Sequence, residues 1–445
     1  MRLKHLRIAN CSRISDIDID VRDNMVLIGP NGSGKSTVLL CLDMLLGMSE
    51  QQLSDALSEE FIRDKSRPMT VEAVLKDICD DTQQVTVRID VHPNGKTIKI
   101  ERSLLSCDTR KSSPEEQKST FNQTPSEDWK SAIDSQRNLL DSWTLLRTQA
   151  NADGVHQDLS DGMRALSTMT AYNQLHKTAN ILAIDEPEAH LHPSSQRSLA
   201  KMLKASGGQM ILVTHSPTIA GSFEPDEIVV IRADGTAVQP REHFLSKNAG
   251  MLARWWIGRQ LEPLTAGAVI AVEGPSDRVI VDRVASVTGF DLDRHDIVLV
   301  ETNGCGDMKV VESIFGSGGF GIPLFELIDD DARDDAARRF DIDPCNLETR
   351  NIFVSVSDLE DEYVRAIGAK KLWDGLMTAK TFSKRVFALC KVEPDGYPTE
   401  RNLAQFIREK SNRKIPAALI AAELIDADNA LSVESVARLL AAASS

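Results

Sequence analysis

The chain opens on alternating apolar and polar positions. "LKHLRIANC" and "RISDIDID" each mix apolar and polar positions in near-alternation, which predicts two paired strands. "MVLIG" then runs unbroken into a glycine-rich turn, with an apolar helix expected from about Ser36. "TVEAVLKDI" and "QQVTVRIDVHPNGKTIKIERSL" predict more strands, the second folded at Pro93-Asn94-Gly95 as a hairpin. From about Ser106 to Gln136 the chain turns polar and rich in turn residues, which predicts an exposed, mobile insertion. Helical spacing returns over 132–147 and again over 160–176. "NILAID" and "MILVT" are short, wholly apolar strands flanking a helix at about Ser194 to Ala205. Strand, helix, strand in this order predicts a parallel sheet covered by helices.

After "EIVVIRADGTAVQP" a helical bridge, "LSKNAGMLARWWIGRQL", leads to Pro263, and a second strand–helix series begins at "AVIAVEG". "DIVLVETNG", "PLFELIDDD" and "NIFVSVSDLEDEY" continue it, and the remainder is mostly helical with an alanine-rich amphipathic end. The expected organisation is a first domain over 1–245, a helical linker over 246–264 and a second α/β domain over 265–445. A length of 445 residues suits two cores better than one. The 42% apolar and 26% charged fractions are those of a soluble globular chain. The seven cysteines are scattered without CxxC pairs, as in a reduced cytoplasmic protein. No run of 18 apolar residues occurs and the N-terminus lacks the apolar stretch of a signal peptide, so no membrane partner is expected. A net charge of −15 offers nucleic acid no global attraction. Any DNA contact must use a local basic patch or bridging metal ions.

"GPNGSGKS", Gly29 to Ser36, fits G-x-x-x-x-G-K-[ST] between an expected strand and helix. Gly29, Asn31, Gly32 and Gly34 would let backbone N–H groups curl around phosphate oxygens, with Thr37 alongside at the helix start. Lys35 would bridge the β- and γ-phosphates of ATP, and Ser36 would ligate Mg²⁺. In "NILAIDEPEAHLHP", Asp185 ends a buried strand where it can orient the Mg²⁺ water, and Glu186 is placed as general base. "ILVTHSP" puts His215 at another strand end, suited to sensing the γ-phosphate. His190 and His192 have metal-like spacing but read as structural.

These residues resemble the ATP-binding cassette ATPases, in particular the SMC-like branch that acts on DNA. "DLSDGMRAL" is similar to that family's signature motif, with Ser160, Gly162 and Arg164 at the informative positions and Asp161 replacing the commoner glycine. The resemblance implies that this segment caps the γ-phosphate held by an opposite subunit, so a complete site needs two chains, as a homodimer or higher homo-oligomer. No glutamine stands near Phe61 to Lys65, where the family's usual loop would put one.

A second constellation is acidic. "LIDDDARDD", Leu327 to Asp335, crowds five carboxylates after a strand. Helix capping explains such acids by itself; so does a divalent cation that offsets their repulsion. Glu273 ends another apolar strand with Asp277 four residues later, and Asp358 and Glu360 follow a third. In an open parallel sheet the C-terminal strand ends share one edge, so these acids can converge there. Asp329 and Asp331 have the same parity, while Asp330 points elsewhere. With one or two Mg²⁺, or Mn²⁺, such a cluster can activate water and stabilise a leaving oxygen in phosphodiester cleavage.

The pattern "VEGPSD … LIDDD" resembles a Toprim domain. An SMC-like ATPase followed by Toprim resembles the OLD (overcoming lysogenization defect) nucleases, which include Gabija-type phage-defence enzymes. The resemblance implies that Glu273, Asp277, Asp329, Asp331 and a later acid near Glu360 ligate metal, so that both Asp358 and Glu360 are candidate ligands. It also implies a lysine near the scissile phosphate: Lys414, with Lys384 as the alternative. Asn303 and Gly304 resemble a structural glycine turn. Tyr172, Tyr363 and Tyr397 lack the setting of a strand-passage tyrosine. The family's larger dimerisation insertion is reduced to a modest polar stretch, so self-association is weaker, differently arranged, or assisted by an accessory defence protein. The expectation is an ATP-regulated, metal-dependent DNA endonuclease; a non-cleaving ATP-driven repair or regulatory scaffold is the alternative.

Overall fold

The computed structural model describes residues 2–76, 83–94, 97–108, 143–147, 181–189, 191–205, 208–302 and 305–444. Ser160, Gly162 and Arg164, His190, the Asn303-Gly304 turn and the insertion beyond Asp108 lie outside them. The chain divides into two compact units, Met1–Leu261 and Glu262–Ser445.

The first unit contains β1 (Arg2–Cys11), β2 (Ile14–Asp20), β3 (Met25–Ile28), β4 (Met69–Lys76), β5 (Gln83–Asn94), β6 (Thr97–Asp108), β7 (Trp143–Arg147), β8 (Ile181–Asp185), β9 (Gln209–Val213), β10 (Ile228–Ile231) and β11 (Ala237–Val238). One sheet is antiparallel, in the order β2-β1-β4-β5-β6. Its β4 alternates buried and half-buried positions along its whole length, the period-2 pattern of a strand with one face in the core. β5 and β6 pair down to Asn94 opposite Thr97, which is hairpin register. The other sheet runs β11-β10-β3-β9-β8-β7, parallel except for the β11 edge. Here β3 and β9 are buried at every position, as strands covered on both faces must be. Trp143–Arg147 corrects the expected helix over 132–147: it is β7, hydrogen-bonded in parallel to β8. Five residues are too few to carry a period that separates helix from strand, and pairing with β8 decides the matter.

The helix after β3, Lys35–Leu46, buries Val38, Leu39, Leu42 and Leu45 in one core with Leu6, Ile8, Ile17 and Val71. Burying each such side chain stabilises by about 1.5–3 kcal/mol. The helical bridge is Lys247–Ile257, capped by Ser246, whose side chain accepts from Ala249 N–H, and it packs on the short helix Pro217–Ala220 of the same unit.

The second unit has β12 (Ala268–Val272), β13 (Ile297–Glu301), β14 (Leu324–Ile328) and β15 (Ile352–Val354), ordered β13-β12-β14-β15 and all parallel. Their C-terminal ends therefore lie on one edge. Helices Pro275–Thr288, Leu359–Ile367, Ser411–Leu424 and Glu434–Ala443 close one core around Ile270, Val272, Leu327, Phe353, Tyr363, Ala417 and Leu439. Glu326 breaks the apolar run of β14. It is buried and lies 3.7 Å from Arg339, which also pairs with Glu312 at 2.6 Å, and burial pushes its carboxyl up to about 8. Among the described residues no helix is long and apolar enough to cross a membrane.

Candidate functional site

In the first unit, β3, β9 and β8 are adjacent and parallel, so the turns that follow them emerge together. After β3 comes the glycine-rich loop. Gly29 has φ 150°, and a Cβ there would stand 2.2 Å from Ile231 O; Gly34, φ 111°, precedes the helix in left-handed backbone. Only glycine suits both positions. Lys35 Nζ donates to Gly29 O at 2.9 Å and Pro30 O at 2.8 Å, so the ammonium lies across its own loop. Burial lowers its pKa against the opposing pull of Glu186 and Asp185. Ser36 Oγ lies 3.5 Å from Asp185 Oδ1, a join between the β3 and β8 turns. Glu186 has a left-handed φ of 49°, its N–H donates to Val213 O, and its Oε1 is 3.8 Å from His215 Nε2. His215 N–H donates to Glu188. His192 caps the helix Pro193–Lys204, its ring nitrogen accepting from Ser194 N–H. The loop fits a nucleoside triphosphate: Ser33 Oγ is buried with no hydrogen-bond partner among the described residues, in a glycine-rich turn that leads into a helix N-terminus.

In the second unit, "LIDDDARDD" divides its labour. Asp330 pairs with Arg333 at 2.8 Å. Asp334 and Asp335 occupy the first turn of the helix Arg333–Phe340, and Asp335 pairs with Arg338. Those acids do the work of helix capping and pairing. Asp329 stands apart at the end of β14. Its N–H donates to Glu273 Oε1 at 3.2 Å, and its Oδ1 accepts from Leu359 N–H at 3.2 Å. Burial, then the negative charges of Glu273, Asp277, Glu360 and Asp358, push the Asp329 carboxyl up to about 8. Asp277 opens the helix Pro275–Thr288, accepting from Gly274 N–H, and burial followed by Glu360 raises it to about 6. Glu273 is raised by burial, with Asp331 and Glu360 adding to the effect. Asp331 is exposed in the turn after Asp329.

Glu360 is buried, and Lys414 Nζ lies 3.1 Å from its Oε1. Burial of Lys414 works to lower its pKa, but Glu360, Asp329 and Asp277 outweigh burial and raise it. Lys384, the alternative lysine, starts a short helix and shows no tie to these acids. Asp358 is committed elsewhere: it caps the helix Leu359–Ile367 through Asp361 N–H and pairs with Arg408. Sequence reasoning did not single out Arg408, which sits in an ordinary charged run, Arg408-Glu409-Lys410, at the end of an amphipathic helix. Among the described residues no three carboxylates already stand at metal-ligand spacing. The donor set nevertheless fits a divalent ion. Four acids press on one another, and Thr302 Oγ1 and Glu360 Oε2 are buried with no hydrogen-bond partner among the described residues.

These charges make stability depend on pH. Asp329 and Asp277 bind protons more tightly folded than unfolded, so their contribution is complete below the ordinary carboxyl range, near 4, and is lost as pH rises through about 6 and about 8. In metal-free buffer the second unit should therefore lose on the order of 5–10 °C in Tm between pH 5 and pH 8.5. Asp329→Asn should flatten much of that slope, and Glu326 leaves a remainder. Thermal unfolding across this pH range checks the prediction, and an unchanged slope in the variant refutes it.

Three family models match the chain. An AAA ATPase domain covers residues 1–142, a further AAA domain covers 131–221, and the Toprim domain of overcoming-lysogenization-defect-like proteins covers 264–331. The chain is thus an ATPase–Toprim protein. Its Toprim segment matches the OLD-like model, and the chain is similar to OLD nucleases. An OLD nuclease of Thermus scotoductus is 29% identical over 175 residues, 36% of this chain and 33% of that protein. The endonuclease GajA of Bacillus cereus is 25% identical over 152 residues, 32% of this chain and 26% of that protein. The matches thus span a third or less of these relatives' own length. Among solved structures, the SMC head domain of Thermotoga maritima aligns with 53% of this chain and 97% of its own at TM-score 0.37 and 17% identity. The C-terminal region of the Burkholderia pseudomallei OLD protein aligns with 40% of this chain and 97% of its own at TM-score 0.32 and 22% identity.

Proposed function

We propose that the chain is an ATP-regulated, divalent-metal-dependent DNA endonuclease of anti-phage defence that works as a homo-oligomer through its ATPase unit. The observation that carries this reading is the grouping of Glu273, Asp277, Asp329, Glu360 and Lys414 at one sheet edge, four mutually repelling carboxylates facing one ammonium. A polyanionic substrate bridged by cations is compatible with such a site despite a net charge of −15.

Glu273, Asp277, Asp329, Asp331 and Glu360 would hold one or two Mg²⁺ or Mn²⁺ ions. Bound there, such ions supply an activated water and neutralise charge on the leaving oxygen. Lys414 neutralises a non-bridging oxygen of the scissile phosphate. Asp358 holds the helix that carries Glu360. In the first unit Gly29, Asn31, Gly32, Gly34, Lys35, Ser36 and Thr37 would cradle the phosphates of Mg²⁺-ATP. Asp185 orients a water, Glu186 accepts its proton, and His215 contacts the γ-phosphate. Ser160 and Gly162 would complete the site from a second chain.

The testing experiment is conversion of supercoiled plasmid with Mg²⁺ or Mn²⁺, with and without ATP. Nicked or linear product that requires the metal and changes in amount with ATP is expected. ATP hydrolysis without metal-dependent cleavage would overturn the nuclease reading. It would favour the scaffold that only binds DNA, for which the open spacing of the carboxylates is the supporting observation.

A further inference from the structure

Tyr363 is 1% exposed, and its hydroxyl has no hydrogen-bond partner among the described residues. An unpaired buried hydroxyl costs about 1–3 kcal/mol, and folded proteins rarely leave one without a reason. Its surroundings supply the reason. Tyr363 lies three residues after Glu360 on the helix Leu359–Ile367, and helical side chains lean back over the preceding turn. Glu360 offers a buried Oε2 that also lacks a hydrogen bond. The helix packs on Ser411–Leu424, which carries Lys414, and that helix packs on Pro275–Thr288, which carries Asp277. Burial raises the Tyr363 hydroxyl's pKa, and the charges of Glu360, Asp358 and Asp277 raise it further. An unpaired donor and an unpaired acceptor thus sit one turn apart in the same dry interior.

We propose that Tyr363 is a positioning residue for the metal site, its O–H donating to one Glu360 oxygen once that carboxylate turns from Lys414 to a divalent ion. The hydroxyl fixes which oxygen faces the ion. This inference rests on the metal-site reading above and concerns Glu360 as ligand.

The test uses the full nucleotide-free chain, so that Mn²⁺ reports on the acidic edge, with wild type, Tyr363→Phe and Asp329→Asn compared by calorimetric Mn²⁺ titration and by thermal unfolding. Tyr363→Phe is expected to match or exceed wild type in metal-free Tm, because it deletes an unpaired polar group. Its Mn²⁺ affinity should fall roughly 10–100-fold. Cleavage should fall with it and recover at high Mn²⁺, a KM-like effect that a packing defect would not give. Equal Mn²⁺ affinity in the variant and wild type overturns the inference. A metal-free Tm several degrees lower also overturns it, because the hydroxyl would then have a structural partner. Failure of wild type itself to bind Mn²⁺ removes the metal-site reading and the inference with it, and is distinguished from the first outcome by the wild-type titration alone.

Discussion

Asp329→Ala should abolish metal-dependent cleavage, by at least roughly 100-fold, while ATP hydrolysis continues at the wild-type rate. The reason is its central position. Asp329 senses Glu273, Asp277, Glu360 and Asp358 together, and its backbone and side chain tie the end of β14 to Glu273 and to the start of the helix Leu359–Ile367. An ion held at this edge loses its central oxygen ligand in the alanine variant. The same substitution removes one charge from a crowded group, so the metal-free protein should be at least as stable as wild type at pH 8. Loss of cleavage with a retained or raised Tm separates a ligand from a structural residue. A variant that cuts as well as wild type shows that Asp329 is not part of the hydrolytic site.

The second large effect belongs to Lys35→Ala. ATP hydrolysis should fall roughly 100–1,000-fold, the scale of losing one preorganised donor to a charge that develops in the transition state. Lys35 now donates to two carbonyls of its own loop, and a bound triphosphate would take its ammonium from them. Without it the loop keeps its glycine-imposed shape, so the variant should fold normally and lose nucleotide response. Plasmid cleavage by Lys35→Ala should proceed at the nucleotide-free rate whether or not ATP is added. A cleavage rate that still changes with ATP would place the regulatory nucleotide elsewhere.

The parts of this chain that could be read from sequence are those whose chemistry is local. Glycines, lysine and serine within eight positions define the phosphate loop, because a turn and a helix start need only neighbours. The parallel sheets were legible from the apolar runs "MILVT" and "AVIAV", which match β9 and β12. Trp143–Arg147 was not, because its strand state comes from β8, more than thirty residues away. The acidic stretch shows the same division. The charge count could not tell Asp334 and Asp335, which serve their own helix, from Asp329, whose partners are Glu273 and Leu359. Asp358 looks like a ligand in sequence, yet Arg408, fifty positions on, takes its side chain. The ion pair from Lys414 to Glu360 likewise needs the packing of two helices.

That ion pair carries a thermodynamic linkage. Glu360 can satisfy the ammonium of Lys414 or a divalent ion, but a single carboxylate oxygen does not serve both well. On the proposed nuclease reading, a phosphodiester oxygen that draws Lys414 away would free Glu360 for the ion, and loading the ion would free Lys414 for the backbone of the nucleic acid. Reciprocity then requires each to tighten the other by the same factor. Resting protein would stay nearly inert at low magnesium, and arming would be shared between substrate and cation.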